Sequence, residues 1–400
     1  MRIAFLTPVP PSELPDGGGL SAYLHRMTRS LLNAGHEPEV FVPNDGPSKT
    51  DNYYGVPIHH VGMKENYPIL EFLSAASRKL IRANVWRGLV PWVLRARALA
   101  IAFERRHSVA PFQLVQSSDY LAVGLFVRTY PGRVHVVRCS TAADLYNKAA
   151  GTRRSYEIVG EYLERMTIRR ADICYAPSEF VANHFSRTYK IDVRVVRPPA
   201  YLDTLNVLPP PVSLPDRFFL HFGQLTELKG TAVIAAALPI AWQKVPDLTM
   251  VWSGLYLDDR RLKKWRSLWG ERADQVQITG PLTRPHMYAV LQRADAAVLP
   301  SLADNLPNTV IESLLFGIPV LGSRGASIDE LVEEGRTGHL VALGDVQGLA
   351  EALAKMWLKQ TAVSKGFKWY SAVYEAMQPR RAVANLVRLA EDGMQSSRAN

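Results

Sequence analysis

The stretch Ser301–Gly325, SLADNLPNTVIESLLFGIPVLGSRG, constrains this chain most. It reads as a strand end, an acidic loop, a helix, a Gly-Pro turn, a strand and a glycine loop. Asp304 and Glu312 stand eight residues apart and bracket Leu306-Pro307-Asn308. Pro307 suits the first turn of a helix, where a missing N–H costs nothing. Asn305 is the expected N-cap just before it. The backbone N–H groups from Asn308 onward are then expected to hold an anion, with the helix dipole helping. One carboxylate sits in the loop and the other about two turns into the helix. A hydroxyl-rich ligand carrying phosphate suits that arrangement. An ordinary βαβ unit with two solvated acids fits the same letters.

Four hundred residues predict two domains of about 200 each rather than one. Cys139 and Cys174 are too few for a disulfide framework or a metal cluster, which fits a reducing cytoplasm. The N-terminus runs straight into an apolar strand, so no signal peptide is expected. No apolar run reaches the roughly 18 residues of a membrane-spanning helix. The nearest, Gly88 to Phe103, is interrupted by Pro91, Arg95 and Arg97. The expected location is cytoplasmic, with peripheral attachment to the inner face of the cell membrane as an open reading.

Charge is unevenly placed. Residues 1–200 hold 26 Lys/Arg and 17 Asp/Glu, a net of +9, whereas residues 201–400 hold 21 and 20, a net of +1. Arg78 to Arg106 alone carries eight basic residues and one acid, Glu104. Such an asymmetry calls for an anionic partner or a membrane surface. Residues 66–106 read as a long helical stretch that mixes these bases with Trp86 and Trp92. Two readings stay open: a basic amphipathic segment on an anionic membrane, or core-packing helices with a solvated basic face, Pro91 breaking any continuous stripe. No nucleic-acid motif organises the charge, so nucleic acid is not an expected partner.

The first half opens as a doubly wound sheet. Arg2 to Val9 is a strand, PVPPSELPDGGG a loop, and Leu20, Tyr23, Leu24, Met27, Leu31 and Leu32 mark a helix of period near 3.6 that Gly35 closes. Glu39 to Val42 is the next strand. Gly17-Gly18-Gly19 lets a backbone approach a ligand at the strand's end, though a flexible loop would look the same. Further strands are expected at 112–116, 134–138, 171–176 and 193–196, with a helix from about Tyr156 to Arg170 and another from Ser178. The strand at 134–138 leads from Arg138 into Cys139-Ser140-Thr141. His135, mid-strand, reads as packing rather than chemistry.

Residues 198–215 hold six prolines without periodicity and form the expected boundary. Beyond it strands are expected at 217–222, 248–252, 276–279 and 294–299, each running into a glycine loop or the stretch described above. The expected fold class is α/β: two Rossmann-like doubly wound domains facing a central cleft, with ligand loops at the strand C-terminal ends. The expected boundaries are 1–200, 201–370 and a C-terminal segment, 371–400, packing back on the first domain. The second half collects Gly223, Lys229, Gly254, Gly280, Asp304, Glu312 and Gly325 at strand ends. Lys229 precedes a helix start and can meet phosphate as a point charge. Dinucleotide, P-loop, zinc and nucleophile-elbow motifs are absent.

Three blocks in order resemble the nucleotide-sugar domain of the retaining, two-Rossmann-domain (GT-B) glycosyltransferases of family 4, glycosyl transferases group 1. Gly223-Gln-Leu-Thr-Glu-Leu-Lys229-Gly230 is similar to that family's G-R-x4-K-G. Asp304-x7-Glu312 resembles its E-x7-E. Gly317-Ile-Pro-Val with Ser323-Arg-Gly325-Ala-Ser-Ile-Asp-Glu330, then Gly335-Arg-Thr-Gly338, completes the pattern. The first half is similar more loosely, through Gly17–Gly19, Gly35-His36-Glu37 and Ala171-Asp172 to Pro177-Ser178.

The resemblance implies a retaining, metal-independent transferase moving a hexose from a nucleoside diphosphate sugar, UDP-linked by preference, to a glycan or lipid-linked acceptor, as in bacterial cell-surface polysaccharide or glycoconjugate synthesis. No cofactor is implied. Asp304, Lys229 and Glu312 would be the catalytic set. Gly18, Gly223, Gln224, Lys229, Gly254, Asn305, Leu306, Pro307, Asn308, Thr309 and Glu312 would bind the donor. Within that set Glu312 would hold the ribose, Lys229 the diphosphate, the Asn308 and Thr309 amides the distal phosphate, and Asp304 the transferred sugar. Arg138 and Ser140 are the acceptor-side candidates. Three departures stand out. Asp304 replaces Glu, Gln224 replaces Arg, and Ser140 stands where many members carry His. Arg324 or Arg284 are candidates for the second cation. A nucleotide-sugar epimerase or hydrolase, or a non-catalytic glycan-binding scaffold, are the alternatives.

Overall fold

A computed structural model describes residues 1–12, 18–63, 84–140, 142–150, 155–202 and 207–399. The chain falls into two compact units. One takes Met1–Ser12, Gly19–Pro199 and Ala376–Asn400, and the other is built on Ala200–Glu375.

The first unit begins with β1 (Arg2–Leu6), α1 (Gly18–Asn33), β2 (Glu37–Asn44), β3 (Lys49–Tyr53) and β4 (Val56–Gly62). Helix α1 forms because Tyr23, Leu24, Met27 and Leu31 share one buried stripe. Gly35, at φ +79, ends it, and the His36 N–H returns to Leu31 O at 3.0 Å. Then come α2 (Asn84–Val109), β5 (Leu114–Ser118), a 3-10 turn at Tyr120–Ala122, β6 (Val134–Arg138), α3 (Ala143–Ala150), α4 (Ser155–Arg169), β7 (Ile173–Ala176), α5 (Glu179–Tyr189) and β8 (Arg194–Val195).

The sheet order is β3-β4-β2-β1-β5-β6-β7-β8. All pairs are parallel except the β3–β4 hairpin. The hairpin was not legible as alternation because β3 is almost wholly exposed. Its Tyr54-Gly55 turn, at φ 50 and 86, takes the left-handed backbone that a tight hairpin needs.

The basic stretch differs from expectation. Residues 64–83 lie outside the described residues, so the expected helix there is not addressed. Helix α2 runs through Pro91 instead of stopping at it. Pro91 is exposed, while Leu89, Ala96, Leu99 and Phe103 are buried, turned away from it around the helix. Packing of that face outweighs the one backbone hydrogen bond that proline removes. Of the bases whose side chains are described, Arg106 is committed to Glu39 at 2.9 Å and Arg95 stands 3.9 Å from Asp45. Arg97 and Arg105 are exposed. Among the described residues no helix is long and apolar enough to cross a membrane.

The second unit holds β9 (Phe219–Gln224), α6 (Thr231–Lys244), β10 (Met250–Leu255), α7 (Asp259–Trp269), β11 (Val276–Ile278), α8 (Arg284–Arg293), β12 (Ala296–Leu299), α9 (Asn308–Leu315), β13 (Val320–Ser323), β14 (Gly338–Val341) and α10 (Val346–Trp357). Its parallel sheet runs β11-β10-β9-β12-β13-β14. In order of appearance that is 3-2-1-4-5-6, the Rossmann order, with its switch point between β9 and β12. The core gathers Phe219, Trp242, Met250, Trp252, Trp269 and Trp357. Each such side chain contributes roughly 1.5–3 kcal/mol on burial. Trp242 and Trp269 donate their indole N–H to Leu248 O and Ala235 O, so neither is buried unsatisfied.

The short α11 (Ala372–Ala376) and then α12 (Pro379–Ala399) end the chain. Helix α12 packs on the first unit's sheet, where Val383, Leu386, Leu389 and Ala390 join Val134, Val136 and Tyr175. Gly393 allows the close approach: a Cβ there would lie 2.8 Å from Val134.

Candidate functional site

In a doubly wound sheet, ligands bind outside the carboxyl ends of the strands where the order reverses. In the second unit that place is formed by the loops after β9 and β12. They are tied together by the Leu302 N–H, which donates to Leu228 O at 2.8 Å. Gly230, at φ +76, makes the tie possible, because a Cβ there would sit 2.1 Å from Pro300 O.

Lys229 precedes that glycine, and its Nζ donates to Asp304 Oδ2 across the switch point. Asp304 is buried, and a buried carboxylate must be held by donors. The Asn305 N–H reaches Oδ1 at 3.0 Å, Ser301 Oγ reaches Oδ2 at 3.4 Å, and Ser327 Oγ donates to the Asp304 main-chain carbonyl at 3.1 Å. Ser301 and Ser327 are site residues that sequence reasoning missed. Serine is common at loop ends and nothing in its spacing marked these two.

Helix α9 starts two residues later than expected. Pro307 is the N-cap, at φ −70 and ψ 119, and has no side-chain acceptor to cap the helix. Asn305 is therefore not the cap, since it stands two residues before Pro307, and its backbone N–H donates to the Asp304 carboxylate. The Val310 and Ile311 N–H groups both return to Pro307 O, at 3.1 and 3.2 Å. Asn308 and Thr309 occupy the first turn, where the dipole favours an anion. Thr309 also meets the end of β9, since a Cβ at Gly223 would lie 3.0 Å from Thr309 Cγ2. Glu312 is buried, 8% exposed, farther along the helix. Leu306 is half-buried.

Glycines bring three strand ends together. A Cβ at Gly254 would lie 1.9 Å from Gly223 O, and the Gly254 N–H donates to Gly280 O at 3.1 Å. Gln224 is exposed at the end of β9. Arg324, a candidate second cation, is paired with Glu334 at 3.3 Å; Arg284 is the first residue of α8. Beneath these loops His221 is fully buried, which with the Lys229 charge lowers its pKa to about 4. It is neutral, so Nδ1–H donates to Val298 O at 2.8 Å and Nε2 accepts from the Thr231 hydroxyl at 2.9 Å. It locks β9 to β12 and to the start of α6.

The first unit carries a second cluster at its own strand ends. Arg138 ends β6, buried, with its guanidinium 4.1 Å over the Tyr23 ring. Its Nη1 donates to Ser140 Oγ at 2.6 Å. The Ser140 N–H donates to Asp119 Oδ1 at 2.6 Å, and Ser118 Oγ to Ser140 Oγ at 3.1 Å. Below them Tyr23 and Tyr175 share Gln116 Oε1 at 2.9 and 2.8 Å. After Asp119, Leu121 and Ala122 are both left-handed, at φ 59 and 53. Non-glycine residues in that region cost about 1–3 kcal/mol each and cluster at functional sites. Glu164 pins the turn by accepting the Leu121 N–H at 3.1 Å. Burial, then the Asp119 charge, pushes the Glu164 pKa well above the carboxylate range. Gly18 opens α1 at φ +69, with open space where a Cβ would stand. Cys139 and Cys174 are free and buried, their thiol pKa values raised by burial.

Chemically, the second unit offers an ammonium and a helix N-terminus beside two buried carboxylates, a set suited to a phosphorylated polyol. Among the described residues no three His, Cys, Asp or Glu side chains come together as a metal site.

Known proteins carry the same outline. A family model described as Glycosyltransferase Family 4 matches residues 17–203, and one described as Glycosyl transferases group 1 matches residues 216–359. A D-inositol 3-phosphate glycosyltransferase of Pseudarthrobacter chlorophenolicus is 24% identical over 374 residues, covering 85% of this chain and 83% of that protein. Sucrose-phosphate synthase from Thermosynechococcus elongatus superposes with a TM-score of 0.69 at 16% identity, over 100% of this chain and 99% of that one. HepE of Anabaena, solved in complex with UDP and glucose, gives 0.65 at 16% identity over 97% and 98%. At such identities the structural likeness is one of fold.

Proposed function

Because the chain belongs to the family 4, group 1 glycosyltransferases of GT-B architecture, we propose that it is a retaining, metal-independent hexosyltransferase. In this reading it moves a hexose from a nucleoside diphosphate sugar to a glycan or lipid-linked acceptor during polysaccharide or glycoconjugate synthesis. The observation that carries the site assignment is the meeting of Lys229 and Asp304 at the switch point, beside the start of α9.

Lys229 has three N–H donors and uses one on Asp304, which leaves two for diphosphate oxygens. As the C1–O bond to phosphate breaks, charge builds on the leaving diphosphate. Lys229 and the α9 N-terminus stabilise it without reorganising. Asp304, clamped by Ser301 and the Asn305 N–H, stands where its negative charge can face a sugar ring deficient in electrons. Glu312 takes the ribose hydroxyls. With Gln224 neutral and Arg324 paired to Glu334, the helix N-terminus carries the rest of the anion. The UDP complex of HepE supports a uridine donor.

The test is a screen of UDP-, GDP- and ADP-hexoses against glycan and lipid-linked acceptors, read by product mass. Lys229→Ala is expected to lower kcat by about 10²–10³, the range for removing one preorganised donor from a developing anion. Glu312→Ala is expected to raise the donor KM at least tenfold, about 1.4 kcal/mol. Wild-type turnover in both variants would sink the site assignment. Donor consumption with no acceptor product would replace transfer by hydrolysis or epimerisation.

A further inference from the structure

Among the described residues, the first unit contains a buried guanidinium with no carboxylate paired to it. Arg138 is 7% exposed. Its interactions are the hydrogen bond from Nη1 to Ser140 Oγ at 2.6 Å and the Tyr23 ring at 4.1 Å. Its Nε is buried without an acceptor. The Nε of buried Arg133 also lacks an acceptor, but Arg133 and Arg197 differ from Arg138 in having a carboxylate. Arg133, 3% exposed, is forked onto Glu104 at 3.0 and 2.8 Å. Arg197, also 7% exposed, donates to Pro177 O at 2.8 Å and has Glu179 at 3.9 Å. A buried guanidinium without a carboxylate is costly, and an aromatic face offsets only a fraction of that cost. A fold that keeps one has a use for it.

Position says what the use is. Arg138 is the last residue of β6, at the ligand-binding edge of a doubly wound sheet. The rest of the cluster serves to hold it. Ser140 Oγ accepts from both Arg138 and Ser118, and the Ser140 N–H is fixed by Asp119. Asp119 begins the strained Leu121-Ala122 turn. Beneath, the Tyr23–Gln116–Tyr175 network keeps the Tyr23 ring rigid under the guanidinium. Ser140 is only half-buried and Tyr120 is 40% exposed, so the cluster borders solvent.

We propose that Arg138 anchors an anionic group, phosphate or carboxylate, carried by the acceptor. The transferase would then be selective for acceptors bearing such a group near the hydroxyl that is glycosylated. This rests on the glycosyltransferase reading above and names its acceptor class. A guanidinium fork pairs with either oxyanion through two parallel N–H bonds, which a lone serine cannot supply.

The experiment uses the full chain, with and without saturating UDP, and titrates inorganic phosphate and, separately, acetate by calorimetry. Wild type, Arg138→Met, Arg138→Lys and Lys229→Ala are compared. Expected is an anion site that persists with UDP bound and in Lys229→Ala, is weakened at least tenfold in Arg138→Met, and is partly restored in Arg138→Lys. Stronger phosphate than acetate binding assigns a phosphorylated acceptor, and the reverse a carboxylated one. Because Arg138→Met removes an uncompensated charge, its anion-free melting temperature should equal or exceed that of wild type. No anion binding in wild type, equal binding in Arg138→Met, or a marked drop in its melting temperature overturns the proposal, the last by making Arg138 structural. Failure of wild type to bind UDP, GDP and ADP would instead sink the donor reading and leave the Arg138 comparison intact.

Discussion

The two units are both doubly wound, yet they finish their strand ends with opposite devices. Around β9 and β12 the chain closes in with glycine: Gly230 against Pro300, Gly254 against Gly223, Gly223 against Thr309. The cation there, Lys229, already has its carboxylate in Asp304. Around β5 and β6 the tight backbone is made by Leu121 and Ala122, at φ 59 and 53, and the cation, Arg138, has no carboxylate among the described residues. Glycine relieves strain at the point of contact, whereas a strained non-glycine turn persists only when its neighbours over-determine it. The second unit's edge is thus fixed by local backbone chemistry. The first unit's edge is fixed from a distance, through Asp119, Glu164 and the tyrosines beneath.

The largest expected effect tests the glycine side. Gly230→Ala forces a Cβ to within 2.1 Å of a main-chain oxygen at φ +76. Neither the left-handed backbone nor the Pro300 carbonyl can give way without moving the other loop. We expect a loss of about 3 kcal/mol in denaturant unfolding. Transfer should fall at least as far as in Lys229→Ala, because the Lys229–Asp304 pair is carried on the two loops that separate. Native-like stability would mean that the loops are not in the contact described.

That side of the comparison was largely legible in the letters, for a physical reason. Where backbone touches backbone only glycine fits, so Gly223, Gly230 and Gly254 signal themselves, and the residues beside them inherit a position. Lys229 and Asp304 are 75 residues apart yet meet, because each follows a central strand of one sheet. Local details were not legible. Asn305 looked like a cap, but the helix begins two residues later, with Pro307 in that place. Pro91 looked like a break, but a buried helix face overrode it. The β3–β4 hairpin turns on Tyr54-Gly55 and has an exposed strand, so neither turn chemistry nor alternation announced it. The first unit's cluster was the least legible. Arg138 and Ser140 came from resemblance alone, while Asp119, Tyr23 and Glu164 carry no spacing signal. Their roles arise from long-range contacts, as between Glu164 and the Leu121 N–H, 43 residues apart.

The next effect probes how the first unit holds its turn. Burial, then Asp119, raises the Glu164 pKa well above its ordinary value of 4.5, so the folded chain keeps a proton that the unfolded chain loses. Folded Glu164 binds more protons than unfolded Glu164 once pH passes about 4.5, so its contribution to stability declines as pH rises, by up to about 1.4 kcal/mol per unit until the folded group ionises. Glu164→Gln keeps an oxygen for the Leu121 N–H and has no proton to lose. Its stability should therefore match wild type near pH 5 and exceed it at pH 8, in chemical denaturation at both values. Curves that stay parallel across that range would show that Glu164 is ionised in the fold and that the turn is held by a charge.

The smallest effect sharpens the contrast most. Ala122 is buried and left-handed, and glycine in its place has three opposing consequences. It removes a buried methyl, which destabilises by about 0.8 kcal/mol. It adds unfolded-chain freedom, which destabilises by about 0.5–1 kcal/mol. It relieves the left-handed strain, which stabilises by about 1–2 kcal/mol. The terms cancel, so Ala122→Gly should change unfolding free energy by less than about 1 kcal/mol. Ala176→Gly, equally buried at the end of strand β7, lacks the compensating relief and should cost about 1–2 kcal/mol. A matched loss in both variants would mean that the β5 turn stores no strain and that its shape is local after all. A neutral Ala122→Gly with weakened phosphate binding at Arg138 would place the strain in the service of the site, since Asp119, at the head of the turn, is what holds Ser140 against the guanidinium.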